Sequence, residues 1–170
     1  AGGSPRRGPS APARRPTDGS PAIRVGDGGS RGISPDGKWV AADFSDGRIG
    51  LQILPTGAGE ARTLAIAPIE RLVGPVRWFP DNRRLTLTGN EKGQKPRTYE
   101  LAATGGAPKP ITSEGVLGNA VSPDGHWLAV VDADGSRALV PLDGGPLKPM
   151  PTVARTDVFA GWLADSRGFL

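Results

Sequence analysis

Four aspartates are the first candidates for chemistry in this chain, because they recur. Asp36, Asp81, Asp124 and Asp165 stand 45, 43 and 41 residues apart. A carboxylate can move a proton, hold a cation or close a turn. The first two tasks need a partner group in the same cleft, and none recurs beside these aspartates. The third needs only backbone N–H groups nearby. His126 is the single histidine. A Ser-His-Asp triad would have to use it, yet it sits beside a turn where the equivalent residues are Lys38 and Arg83. No Gly-x-Ser-x-Gly elbow accompanies it. One histidine and no cysteine cannot furnish a zinc-type ligand set.

Two further stretches invite a site reading. Asp132-Ala133-Asp134-Gly135 opens like a calcium loop, but the fifth position offers only Ser136 and no glutamate closes the pattern. The matching Asp46-Gly47 favours a hairpin turn. Gly26-Asp27-Gly28-Gly29-Ser30 is glycine-rich but lacks the Gly-Lys-Ser/Thr and the helix of a phosphate loop. The sequence therefore predicts no catalytic, cofactor-binding or metal-binding residues. The recurring Trp39, Trp78, Trp127 and Trp162 are expected in packing between repeats, with an aromatic ligand platform as the minority reading.

The elements around these residues repeat with them. Ser34-Pro35-Asp36-Gly37-Lys38-Trp39-Val40-Ala41 returns as Phe79-Pro80-Asp81-Asn82-Arg83-Arg84-Leu85-Thr86 and as Ser122-Pro123-Asp124-Gly125-His126-Trp127-Leu128-Ala129. A worn copy runs from Leu163 to Leu170. Asp-Gly between apolar segments is a hairpin signal, since the turn needs positive φ and glycine supplies it. A second turn follows seven residues after Trp39 and Trp127, at Asp46-Gly47 and Asp134-Gly135. Ile49, Leu51 and Ile53 alternate as in a half-buried strand. Each unit then closes with a glycine turn and a short strand anchored on one apolar residue, Ile111 or Met150. Asp18 to Val25 matches that last strand alone, with Ile23 as its anchor.

Each unit thus predicts four antiparallel strands, and a period in this range marks a repeat architecture. Glycine and proline, 26 and 18 residues, make up about a quarter of the chain. Stretches free of both run to nine residues, as in Lys38 to Asp46, which is short for a helix. Almost no helix is expected. The net charge of +4 is concentrated at the start: residues 1–21 carry Arg6, Arg7, Arg14 and Arg15 against Asp18. The remainder is near neutral, so the basic pI does not argue for a nucleic-acid partner. No apolar run reaches the roughly 20 residues that span a membrane. Residues 1–17 contain no large apolar side chain and read as a flexible basic linker.

The Ser-Pro-Asp-Gly-x-x-apolar-Ala phrase resembles the Pro-Asp type of WD-repeat-like blade of the TolB-like β-propellers. The same blade occurs in the non-catalytic propeller of prolyl-oligopeptidase-like peptidases. Trp78 to Asp81, Gly89 to Gly93 and Pro108 to Val116 are similar to propellers appended to bacterial Ser/Thr protein kinases, although no kinase phrase is present. The resemblance implies an all-β propeller of four-stranded blades, incomplete here. Blades are expected over about 29–67, 68–115 and 116–155, with remnants at 18–28 and 156–170. The remaining blades would come from sequence outside this chain. At the bare flanks Ile23, Val25, Val158, Phe159, Trp162 and Phe169 are expected to be exposed, and such patches favour association.

Two function classes follow. One is a non-catalytic binding or scaffold propeller that holds a protein or peptide partner with the loop ends of one face. The other is the sensory, accessory or gating propeller of a larger kinase or peptidase. A sensory role implies a periplasmic or other extracytoplasmic setting. Purified protein is expected to be silent in peptidase, esterase and kinase assays. Activity that disappears in a His126→Ala variant would overturn that expectation.

Overall fold

The computed structural model describes residues 11–15, 17–19, 21–150, 159 and 161–169. Fifteen short strands are present and, among these residues, no helix. The chain opens with β1 (Ala13–Arg14) and β2 (Ile23–Arg24), paired antiparallel. The first blade contains β3 (Ser30–Ile33), β4 (Trp39–Ala42), β5 (Leu51–Pro55) and β6 (Arg62–Leu64), hydrogen-bonded in that order. The second blade contains β7 (Arg71–Leu72), β8 (Arg77–Trp78), β9 (Arg84–Asn90), β10 (Arg97–Ala102) and β11 (Lys109–Pro110). The third contains β12 (Leu117–Val121), β13 (Trp127–Val131), β14 (Arg137–Pro141) and β15 (Lys148–Pro149). A fourth begins with a bridge between Trp162 and Phe169.

Each central strand is apolar on both faces, and the two faces serve different neighbours. Ala41, Leu51, Ile53 and Leu64 join Val76, Trp78, Leu85, Leu87, Tyr99 and Leu101 in one core shared by the first two blades. Val40, Ala42 and Leu54 point the other way and pack with Val25. The period-2 alternation of a strand assigns one residue set to each sheet face. The third blade builds a further cluster from Val116, Leu128, Val130 and Ala138.

The inner strands are stitched across blades by hydrogen bonds to backbone carbonyls. Val76 N–H donates to the Arg31 carbonyl at 3.0 Å. Arg77 Nε donates to the Asn119 carbonyl at 2.8 Å, and Trp162 Nε1 to the Ala120 carbonyl at 3.2 Å. Gly32 is required at the first of these crossings, because a Cβ there would lie 2.3 Å from the Val76 carbonyl oxygen.

The structure departs from the sequence expectations at five places. Ala13–Arg14, inside the stretch expected to be linker, pairs with Ile23–Arg24, so the unit before the first blade contributes two strands. The pairing uses backbone groups and needs no large apolar side chain, which is why composition did not reveal it. Ile49 is 57% exposed, and the third strand starts at Leu51. Gly50 brings the chain against Phe44 there, and only then does the strand enter the core. The second blade carries an extra strand, β7, which pairs with the far end of β9 while β8 pairs with its near end. Val25 is not bare, since it packs on the first blade, whereas Ile23 is 55% exposed as expected. Phe159, Trp162 and Phe169 are half-buried and pack on one another with ring centroids 5.8 to 6.2 Å apart. Val158 lies outside the described residues.

All four Pro-Asp-type turns share one geometry. Gly37, Asn82, Gly125 and Ser166 occupy the left-handed region, with φ of 69, 57, 78 and 60°. Two of these four residues also reach the preceding blade. Asn82 Oδ1 accepts the Asp36 N–H at 3.0 Å, and Ser166 Oγ accepts the Asp124 N–H at 2.9 Å. Gly125 has no side chain to offer Asp81 in the same way. Asn82→Gly keeps the backbone conformation and removes one such bond. It should cost about 1 kcal/mol and lower the melting temperature by about 2–4 °C. Gly125→Asn should raise the melting temperature, since asparagine tolerates this φ and nothing lies closer than 3.7 Å to the added Cβ. Differential scanning calorimetry of the two variants checks both signs.

Candidate docking face

The turns after the first strand of each blade are closed by side chains. In the first blade, Ser34 is buried and donates its hydroxyl to Asp36 Oδ1 at 2.6 Å. Asp36 Oδ1 also accepts the Lys38 N–H at 3.1 Å, and Ser34 Oγ accepts the Trp39 N–H at 3.0 Å. The third blade repeats this with Ser122, Asp124, His126 and Trp127 at 2.5, 3.0 and 2.9 Å. Ser122, Asp124 and His126 are thus brought together in one turn. Asp124 binds the backbone N–H of His126, and Lys38 takes the same place in the first blade. The arrangement is a turn clamp, and the imidazole is not part of it.

The second blade adds an arginine to its clamp, and the fourth keeps only the aspartate-to-backbone bond. Asp81 Oδ1 accepts the Arg83 N–H at 2.8 Å, and Asp81 Oδ2 pairs with Arg84 Nε at 2.7 Å. Arg84 also lies 4.1 Å over the Phe79 ring and reaches Glu100 at 3.4 Å. Asp165 accepts the Arg167 N–H at 3.0 Å. These contacts set the carboxyl pKa values. The Ser34 hydroxyl and then the Lys38 N–H hold Asp36 below the ordinary value of 3.8. Ser122 and then the His126 N–H do the same for Asp124. Burial pushes Asp81 up, but the Arg83 N–H and the Arg84 guanidinium together bring it below the ordinary value.

The other candidate stretches are structural. Asp134 Oδ1 accepts the Ser136 N–H at 2.8 Å, and the Asp132 N–H bonds the Ser136 carbonyl at 2.9 Å, which closes a hairpin. Asp46 closes the matching turn by accepting the Arg48 N–H at 3.1 Å. Gly28 and Gly29 pack against Asp43 and leave no cradle for a phosphate. Among the described residues, no group of three His, Cys, Asp or Glu side chains could hold a metal ion.

The largest consequence of the turns is a row of clefts between blades. A cleft of about 550 Å³ opens between the first and second blades, with walls from Trp39, Arg62, Arg83 and Arg84 and a floor of Ile53, Trp78 and Ala103. The Arg62 guanidinium lies 4.7 Å over the Trp39 ring. A second cleft of about 350 Å³ lies between the second and third blades, lined by Asp81, Asp124, His126, Leu142 and Asp143. Both are bordered by the first turn of a blade and by the turn before its last strand, so they share one face. Trp78 is buried between blades, whereas Trp39 and Trp127 are half-buried under a cation, and the sequence did not single out Arg62, Arg83 or the two buried serines. The period of the Pro-Asp phrase was the available signal for the serines. Nothing in it points to Arg62, which reaches the cleft from a different strand.

No protein-family model and no curated protein matches this sequence. Solved structures do. A TolB protein from Agrobacterium tumefaciens superposes with a TM-score of 0.59 at 22% identity, over 83% of this chain and 53% of that one. TolB from Acinetobacter baumannii superposes with a TM-score of 0.55 at 20% identity, over 76% of this chain and 33% of that one. The fold is a TolB-like β-propeller. The chain spans about half the length of the first of these TolB-like structures and a third of the second.

The lowered aspartates give this face an acid sensitivity of definite sign. A carboxyl held below its ordinary value contributes stability that is fully present above that value and is lost as pH falls through the lower, folded value. The melting temperature should therefore drop as pH falls below about 4. An Asp36→Asn, Asp124→Asn variant should show a shallower drop over that window in a pH series of thermal melts. In Arg84→Met, the NMR-monitored titration of the Asp81 carboxyl should move upward.

Proposed function

We propose that this chain is a non-catalytic binding module whose turn-bearing face holds a protein or peptide partner. The observation that carries the reading is the pair of open clefts between blades, both bordered by clamped turn residues, the first of them also walled by Trp39 and Trp78. Sites on rigid elements keep their geometry and lose little entropy on binding. The cleft between the first two blades combines an apolar floor with a few polar groups at its rim, the composition expected of a recognition site. The TolB-like fold is in keeping with this reading.

A catalytic domain, whether a kinase or a peptidase, would lie in sequence outside these residues. The chain would then serve as the accessory propeller of that enzyme. The likeness of Trp78 to Asp81 and Pro108 to Val116 to kinase-appended propellers supports that arrangement, and the adjoining coding sequence decides it. An extracytoplasmic setting accords with it.

Panning a random peptide display library against the purified protein tests the binding reading. Recovery of a consensus motif that binds as a free peptide is the expected result. A library that yields no enriched motif, with the protein shown to be folded by circular dichroism, would remove it.

A further inference from the structure

The two clefts of the turn-bearing face differ in chemical kind. In the first cleft, the Arg62 guanidinium is stacked on Trp39 at 4.7 Å, and exposed Arg83 follows the Asp81 clamp. Arg84 is paired with Asp81 and Glu100, so its charge is cancelled. Arg62 and Arg83 meet no carboxylate among the described residues. The floor is apolar, from Ile53, Trp78 and Ala103. Buried Trp78 leaves its indole N–H without a partner, although the equivalent Trp162 donates to the Ala120 carbonyl at 3.2 Å.

The same set of residues returns 84 to 88 positions later, two blades along. Trp127 replaces Trp39, and Lys148 lies 4.3 Å over its ring as Arg62 lies over Trp39. Trp162, Asp165, Ser166 and Arg167 take the places of Trp78, Asp81, Asn82 and Arg83. Asp165 clamps the Arg167 N–H, and Ser166 braces the Asp124 N–H. Lys148 and Arg167 likewise meet no carboxylate among the described residues. Packing alone explains the tryptophans and the braces. It does not require a cation stacked on a ring and an exposed arginine at each repeat. The cleft between these two positions is opposite in character, with Asp124 and Asp143 on its walls beside the Asp81–Arg84 pair, which borders both clefts.

Building on the binding reading above, we infer that the partner is a protein segment of acidic residues flanking one apolar anchor. It docks in the cleft between the first and second blades. Its apolar side chain rests on Ile53, Trp78 and Ala103, and its carboxylates take Arg62 and Arg83. Stacking on Trp39 holds the Arg62 guanidinium in place and leaves its N–H fork free for a carboxylate. The acidic cleft beside it repels the same segment, which fixes where it docks. Trp127, Lys148, Trp162 and Arg167 form a second position of the same chemistry two blades away.

The test uses a fluorescein-labelled peptide of aspartates and glutamates around a central leucine, titrated with the whole chain by fluorescence polarisation. Binding should weaken as salt is raised. It should weaken at least about tenfold in an Arg62→Glu, Arg83→Glu variant, whose circular dichroism and melting temperature should stay near the parent values because both side chains are exposed. Lys92→Glu, on the hairpin at the other end of the second blade, should bind as the parent does. The amide version of the peptide, with asparagine and glutamine throughout, should bind much more weakly. The inference falls if the acidic peptide does not bind, if the amide version binds equally well, or if Lys92→Glu and the double variant weaken binding alike. It also falls if panning enriches basic or neutral motifs, in which case the binding reading itself stands. A folded protein that enriches no motif removes both.

Discussion

The structure depends on a turn that must pass through the left-handed region. The two strands it joins are short, and each blade can be completed only if the chain reverses within four residues. Gly37, Asn82, Gly125 and Ser166 make that reversal. A residue at positive φ is held only when neighbouring bonds over-determine it. Here the aspartate three residues before the second strand supplies them, by accepting the N–H that follows the left-handed residue. Serine adds two more bonds in the first and third blades, and arginine adds them in the second. The turn therefore locks the inner strand to its neighbour, and that lock fixes where the tryptophan three residues before or after the aspartate stands.

Rigidity of the turn also determines how blades meet. Because the turn cannot relax, a side chain at its left-handed position points to a fixed place on the preceding blade. Asn82 and Ser166 use that place to accept a backbone N–H. Below it, the inner strands approach closely enough that Gly32 admits no Cβ. The inter-blade clefts are what is left between these two contacts, and their width follows from them rather than from loop conformation.

The fold was legible because its signals are local and repeated. A turn that needs positive φ leaves glycine or asparagine in the sequence, and a strand buried on both faces leaves Trp127 to Val131, which is β13 to the residue. The features that escaped depend on distant partners. β7 is two residues long and has no pattern of its own; it exists because Gly89 of β9 lets the Arg71 carbonyl approach. β1 likewise exists through its pairing with Ile23–Arg24. Ile49 matched a period-2 pattern that starts one step too early, because the chain turns at Gly50 before entering the core. The turn-bearing face was half legible. Its aspartates and tryptophans fall on the period of the blade. Arg62 and Lys148 become meaningful only when the last strand of a blade is placed beside the second one, which is knowledge of pairing and not of spacing.

The first and third blades close their turn with serine and the second with arginine. Reading every blade as a copy of one unit hides the difference between Ser34-Pro35-Asp36-Gly37 and Trp78-Phe79-Pro80-Asp81, since both close the same turn. Their neighbours differ, however. A serine clamp leaves the aspartate without an arginine and the following tryptophan, Trp39 or Trp127, free to carry a cation from the last strand. An arginine clamp consumes the charge of Arg84 and puts a tryptophan on the inner strand instead. Where the serine-clamped first blade is followed by the arginine-clamped second, Trp39, Trp78, Arg62 and Arg83 face one cleft. Where the third blade follows the second, the cleft receives Asp124 and Asp143 beside the Asp81–Arg84 pair. A near-neutral chain thus presents two neighbouring clefts of opposite charge on one face, and the difference follows from which residue closes each turn.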